Sequence, residues 1–283
     1  MTTSRPLPAL AAFVSLVSVQ TGAAFAKTIF PLVGSDGIAT LRLGFAAMLL
    51  AVLFAPWKLR PGRQGWMILL AYGTVLALMN TLIYRAFSYI PVGIAISIEV
   101  LGPLAAALLS SRRRLDLVWI ALALAGLTLL PFGQVTTALD PLGIVFALMA
   151  ALFWGLYVVV GGKMARFGGR GVAAGMGLAA LMVVPLGAVQ AGSALLAPQA
   201  LLVGTVVATL SSALPFLLDI YALKHLRPSV FGIMMSASPA VSALAGLVIL
   251  RENLSTPQWL GILAITAACL GSALASAKNA KQQ

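Results

Sequence analysis

Residues 84–108 read YRAFSYIPVGIAISIEVLGPLAAAL, and residues 220–244 read IYALKHLRPSVFGIMMSASPAVSAL. The two stretches align without gaps at an offset of 136, close to half of the 283-residue chain. Ala86 meets Ala222, Pro103 meets Pro239, Ala107 meets Ala243 and Leu108 meets Leu244. Each stretch covers the fourth of five apolar runs in its half of the chain. Five crossings are odd in number, so a second copy of the unit enters a membrane from the opposite face. Inverted repeats of this kind are built into secondary transporters, which hold substrate near the midplane between the halves. The expected units are residues 1–136 and 137–283.

Working outward, the whole chain is apolar. Hydrophobic residues make up 61% and charged residues 8%. A soluble domain carries about a quarter charged residues, so the solvent for this chain is lipid. Ten apolar stretches have a length near the ~20 residues that cross a bilayer. They run from Ala9 to Phe30, Ile38 to Ala55, Trp66 to Tyr89, Val92 to Leu109, Leu115 to Phe132, Leu142 to Gly161, Val172 to Val189, Leu201 to Leu223, Val230 to Leu250 and Pro257 to Ala277. The runs are continuous rather than alternating, which predicts helices, not a barrel. The expected fold is an all-α membrane protein of ten transmembrane helices, arranged as two inverted five-helix repeats.

The net charge of +12 would point to nucleic acid in a soluble protein. Here it has another origin. With a cytoplasmic N-terminus, 14 of the 18 Lys and Arg fall on inner loops and ends, among them Lys58, Arg60, Arg63, Arg112, Arg113, Arg114, Lys163 and Lys224. Lys27, Arg42, Arg85 and Arg251 remain for the outer side and outer helix halves. That asymmetry obeys the positive-inside rule and predicts cytoplasmic termini, with no nucleic-acid partner. The first run, followed by Ala24-Phe25-Ala26, also has the outline of a signal peptide. It is read as a helix, because the repeat needs it as the partner of the sixth.

Of six acidic residues, Asp36, Asp140 and Glu252 are placed in outer loops and Asp116 at an inner helix start. Glu99 is different. It lies eight residues into the fourth run, about 12 Å down at 1.5 Å per residue. An ionisable group at that depth costs about 3 kcal/mol unless paired or watered, which marks a candidate functional site. Arg42 sits in the outer third of the second run. Together the two suit a zwitterion, Glu99 for an ammonium and Arg42 for a carboxylate. Asn80 and Tyr84 share a helix face at i and i+4. Gln20 in the first run and Trp154 with Tyr157 in the sixth are further candidates for the cavity lining. Asp219, one turn from Lys224 and His225, is either a coupling residue beside Glu99 or one half of a local salt bridge. His225 is read as a solvated bystander. Pro103 and Pro239 are paired hinges or static kinks. Cys269 is read as a small buried apolar residue.

Other chemistries are missing from the sequence. It holds no Walker A motif, no HExxH and no GxSxG, and one histidine cannot build a metal site. No cofactor, metal or catalytic residue is expected, and neither a membrane enzyme nor an assembly subunit fits so loop-poor a chain. Gly171 and Gly175 form a GxxxG, weak ground for a dimer, so monomer and homodimer both stay open.

Five stretches carry a resemblance: GAAFAKTIFPLVG from Gly22, ATLRLGF from Ala39, IEVLGPLAAALLSSRRRLDLVW from Ile98, LSSALPF from Leu210 and SASPAVSALAGLVILRENLSTPQWL from Ser236. Across nearly its whole length the chain resembles the drug/metabolite transporter superfamily, in its EamA-type branch of ten-helix carriers that export amino acids. The resemblance implies efflux of small amino acids of the threonine and homoserine kind across a bacterial inner membrane, by alternating access. It carries over to Lys27, Arg42, Asn80, Glu99 and Asp219. One departure is Ser238, where relatives often have an acidic residue before the second proline. Glu99 is thereby left without an acidic counterpart in the second half. The alternative is efflux of aromatic amino acids or cations, with Trp154 and Tyr157 as the aromatic face.

Overall fold

The computed structural model describes residues 6–109, 116–132, 139–226 and 228–279. Within them the chain is a bundle of helices: α1 (Pro6–Lys27), α2 (Phe30–Phe54), α3 (Arg63–Tyr89), α4 (Val92–Glu99), α5 (Leu101–Leu109), α6 (Asp116–Leu129), α7 (Pro141–Met164), α8 (Gly168–Ala191), α9 (Pro198–Ala208), α10 (Leu214–His225), α11 (Pro228–Met235), α12 (Ser238–Leu250) and α13 (Thr256–Asn279). Several begin at or just after a proline: Pro91 precedes α4, and Pro141, Pro198 and Pro228 open α7, α9 and α11. Proline is preorganised for the first helical position, where its missing N–H costs nothing.

Nine stretches are long and apolar enough to cross a membrane among the described residues. In four of them the crossing is made of two elements, α4 with α5, α8 with the short 3₁₀ turn after it, α9 with α10, and α11 with α12. The tenth, α6, has 14 residues, about 21 Å, short of the ~30 Å hydrocarbon layer. Leu10, Phe13, Val52, Leu148, Leu152 and Val248 stand exposed. So large an apolar surface is incompatible with water and suits lipid.

Helices from the two ends of the chain pack face to face: α2 on α8, α3 on α7 and α8, α1 on α10 and α12, α4 on α12, and α6 on α13. Glycines make these approaches close. Gly73 and Gly175 meet across α3 and α8, Gly126 and Gly261 across α6 and α13, and Gly93 rests on Ala243. Small residues do this work in lipid, where close van der Waals contact replaces the hydrophobic drive.

The second helix departs from expectation. The stretch Phe30–Phe54 is two helices joined at a kink: a short one begins at Phe30, Gly34 at φ 70° and ψ 175° interrupts it, and the longer one resumes ahead of the expected Ile38. That conformation favours glycine. The Gln190 side chain lies where a Cβ at 34 would be, and its Oε1 accepts the Asp36 N–H at 3.0 Å. Asp36, expected in an outer loop, is therefore inside α2 and buried.

Candidate functional site

A cavity of about 390 Å³ lies between α1, α2, α3, α4, α7 and the α9–α10 region. Its chemistry starts from two freed backbone carbonyls. Between α9 and α10 the chain makes a π-helical turn over Thr209–Ala213. There the Leu214 N–H bonds the Thr209 carbonyl, five residues back, and leaves the Leu210 carbonyl for the Ser18 hydroxyl at 2.6 Å. The Ser211 carbonyl has no donor four residues on, because residue 215 is proline. Arg42 Nη2 takes it at 3.3 Å. π turns occur often at functional sites, and this one supplies acceptors a regular helix would hide.

Arg42 is held from three sides. Its Nη1 donates to Asn80 Oδ1 at 2.8 Å and to the Tyr84 hydroxyl at 3.4 Å, and its guanidinium carbon lies 5.5 Å from the centre of the Tyr84 ring. Asn80 Nδ2 donates to the Leu76 carbonyl at 2.8 Å, which fixes the amide with its oxygen toward the arginine. Arg42 Nε is buried and has no protein partner among the described residues. An unmet buried donor costs about 1–3 kcal/mol, and the Nε–Nη2 edge of a guanidinium is the one that pairs side-on with a carboxylate.

Glu99, 6% exposed, lines the same cavity from the end of α4. No salt bridge joins it to Arg42 among the described residues, though Arg42 is the charge that acts on it. A guanidinium and a carboxyl group thus face one cavity without an ion-pair contact between them. Gln20, Trp154, Tyr157 and Asp219 line it as well. Gln20 Oε1 and Asp219 Oδ1 are buried without partners among the described residues. The Tyr72 and Tyr157 hydroxyls meet at 3.0 Å, with Tyr72 in the same wall.

Lys27 is the one proposed substrate residue that the structure keeps out of this cavity. Its Nζ bonds Glu252 Oε1 at 2.7 Å and the Ile90 carbonyl at 3.2 Å. Glu252 Oε2 accepts the Val92 N–H, the first of α4, at 2.9 Å. Nearby, Asp36 receives both Arg85 Nε at 2.9 Å and Nη2 at 2.7 Å. These pairs lie at the end of the bundle opposite Lys58, Arg60 and Lys163, where Lys27, Asp36 and Arg85 line a further cavity of about 690 Å³. Placing Glu252 and Asp36 in outer loops gave no sign of either partnership. The sequence offered one clue, a Lys and an Arg at the same expected depth as the two acids.

The helices that carry the prolines are broken. α4 stops at Glu99 and α5 starts at Leu101; α11 stops at Met235 and α12 starts at Ser238. The eight-residue segments Val92–Glu99 and Pro228–Met235 are related by the offset that aligned the sequences. Pro103 deprives the Glu99 carbonyl of its donor and Pro239 deprives that of Met235, four residues earlier in each case.

Comparisons with known proteins fit this architecture. The model of the EamA-like transporter family matches residues 141–274. Threonine/homoserine exporter RhtA of Escherichia coli (strain K12) is 43% identical over 277 residues, covering 97% of this chain and 94% of that protein. The protein of the same name from Salmonella typhimurium (strain LT2) is 43% identical over 270 residues, covering 95% and 92%. A solved crystal structure superposes with a TM-score of 0.61 at 20% identity, covering 95% of this chain and 96% of its own, and shares the fold. With a curated relative this similar end to end and the family's own pattern over residues 141–274, the chain belongs to the EamA-like transporter family.

Proposed function

We propose that this carrier exports small amino acids of the threonine and homoserine class across a bacterial inner membrane, with both termini in the cytoplasm. The observation that carries the reading is the shared cavity: Arg42, Asn80, Tyr84, Glu99, Gln20, Trp154 and Tyr157 all line it. Its size suits a small zwitterion, and the relatives named above are exporters of that class. Arg42 takes the carboxylate on its free edge, held in place by Asn80 and Tyr84. Glu99 supplies the opposite charge for the ammonium and is the site where a proton couples to transport. Asn80 and Tyr84 set the orientation of the guanidinium. Lys27 acts in this scheme on the closure of one end, not on the substrate.

Alternating access follows from two units, residues 1–136 and 137–283, rocking about the cavity between them. The breaks at Pro103 and Pro239 are the hinges. The two breaks fall at matching positions, which supports the inverted arrangement. A second reading is favoured by five aromatic residues in the cavity wall, Tyr72, Tyr84, Phe87, Trp154 and Tyr157: the substrate is an aromatic amino acid or an organic cation.

The test is uptake of labelled threonine, homoserine and phenylalanine into liposomes holding the purified protein, for wild type and Glu99→Gln. Saturable threonine or homoserine transport that Glu99→Gln abolishes is the expected result. Transport of phenylalanine alone moves the substrate to the aromatic class, and transport that survives Glu99→Gln removes the residue from the mechanism.

A further inference from the structure

A second cavity of about 430 Å³ adjoins the first. The two share Val19, Gln20, Trp154 and Asp219 as a common wall. Both helix breaks reach the second cavity, through Val100 and Pro103 on one side and Met235, Ser236 and Ser238 on the other. Two of its hydroxyls have their protons spent on the backbone. The Ser236 hydroxyl donates to the Gly232 carbonyl at 2.9 Å and that of Ser238 to the Met235 carbonyl at 2.6 Å. Ser15 Oγ lies 3.4 Å from the Pro215 carbonyl and also reaches Asp219, so its one proton goes to one of these two acceptors. A hydroxyl whose proton is spent on the backbone turns only lone pairs to its surroundings. Gln20, 5% exposed, adds an unpartnered Oε1, and Asp219 an unpartnered Oδ1. No Lys or Arg lines the cavity among the described residues.

We infer that this second cavity is a station for an ammonium group, with Asp219 as its charge and Gln20 Oε1 as an acceptor. The ligand class is a small primary amine. An amino acid satisfies it with its ammonium, and so does an amino alcohol with no carboxylate. The contrast with the first cavity is chemical. Arg42 offers donors and selects a carboxylate, whereas the second cavity offers acceptors around a carboxylate and selects a cation. A carrier with the two stations side by side can pass a zwitterion from one to the other by its two ends. A carboxylate-free amine uses the Asp219 station alone. The inference rests on the transport reading only in treating the two cavities as one passage, and its test needs no transport.

The chain's single cysteine, Cys269, lines the second cavity and serves as a reporter. Purified protein is treated with the cationic aminoethyl and the anionic sulfonatoethyl methanethiosulfonates, and modification of Cys269 is followed by mass spectrometry. The cationic reagent is expected to react faster, and 1-amino-2-propanol to slow it about tenfold, while 2-hydroxypropanoate does not. Asp219→Asn is expected to remove both the charge preference and the protection, and Asp219→Glu to keep them. Charge preference or amine protection that persists in a folded Asp219→Asn protein overturns the inference. So does protection by 2-hydroxypropanoate equal to that by the amine, or a Cys269 that neither reagent reaches. Loss of threonine transport with amine protection intact would sink the substrate assignment and leave this station standing.

Discussion

In the first break the helix is kinked at Val100, whose backbone stays αR with its N–H on the Ile96 carbonyl, and Gly102 stands next to the proline. In the second it is kinked at Ser236 and Ala237, with Ser238 next to the proline. Both prolines orphan a carbonyl. In the second break the Ser238 hydroxyl caps the orphan at 2.6 Å; in the first, Gly102 has no side chain to do so. The reason is packing, since a Cβ on Gly102 would run into the Ala151 carbonyl of α7. The starts of the two short helices differ too. Glu252 grips the Val92 N–H of α4, but α11 begins with Pro228, which has no N–H to grip. The first break is thus closely packed, anchored and charged; the second is capped by its own hydroxyl and uncharged. A shared backbone shape has been given two roles, and the roles follow from single residues.

The comparison breaks most severely at Gly102. Gly102→Ser would supply the missing cap, yet the overlap with α7 is expected to cost about 3 kcal/mol, read as a large drop in melting temperature in detergent. A Gly102→Ser protein as stable as wild type would show that the cap, not packing, distinguishes the breaks. Next is a transplant. Glu99→Gln combined with Met235→Glu moves the carboxylate to the matching position. Transport is expected to stay about 100-fold below wild type, because the Arg42 cluster is built around the first break. Restored transport would make the two breaks interchangeable. A third effect is about tenfold: Glu252→Ala should speed hydrogen exchange of the α4 amides and leave those of α11 unchanged. Equal effects on both would deny the anchor. The smallest is Ser238→Ala, expected to lose about 1 kcal/mol, or about 2 °C in melting temperature, with transport retained.

Most of the fold was legible because lipid imposes long apolar runs, and the positions of Pro103 and Pro239 located both breaks. The start of α2 was not. A run of apolar residues interrupted by Gly34, Ser35 and Asp36 reads as a loop, and only the Gln190 side chain from α8 turns it into a bent helix. The cavity was legible where depth and helical spacing suffice, as for Asn80 and Tyr84 at i and i+4. It was illegible where partners are far apart in sequence. Lys27 and Glu252 lie 225 residues apart, and no local pattern joins them. Ser211 was missed because what it contributes is a carbonyl. The proline four residues later was the signal that the carbonyl would be free.

The segment Val92–Glu99 has one consequence for regulation. It is a rod of eight residues, about 12 Å long, held at one end by Glu252 and carrying Glu99 at the other. Whatever occupies Glu99 and shifts the rod changes the strength of the Lys27–Glu252 pair, and linkage requires the converse to the same factor. On the proposed transport scheme, salt that competes at Lys27 is then expected to change affinity in the cavity without entering it, a dependence that Glu252→Ala should remove.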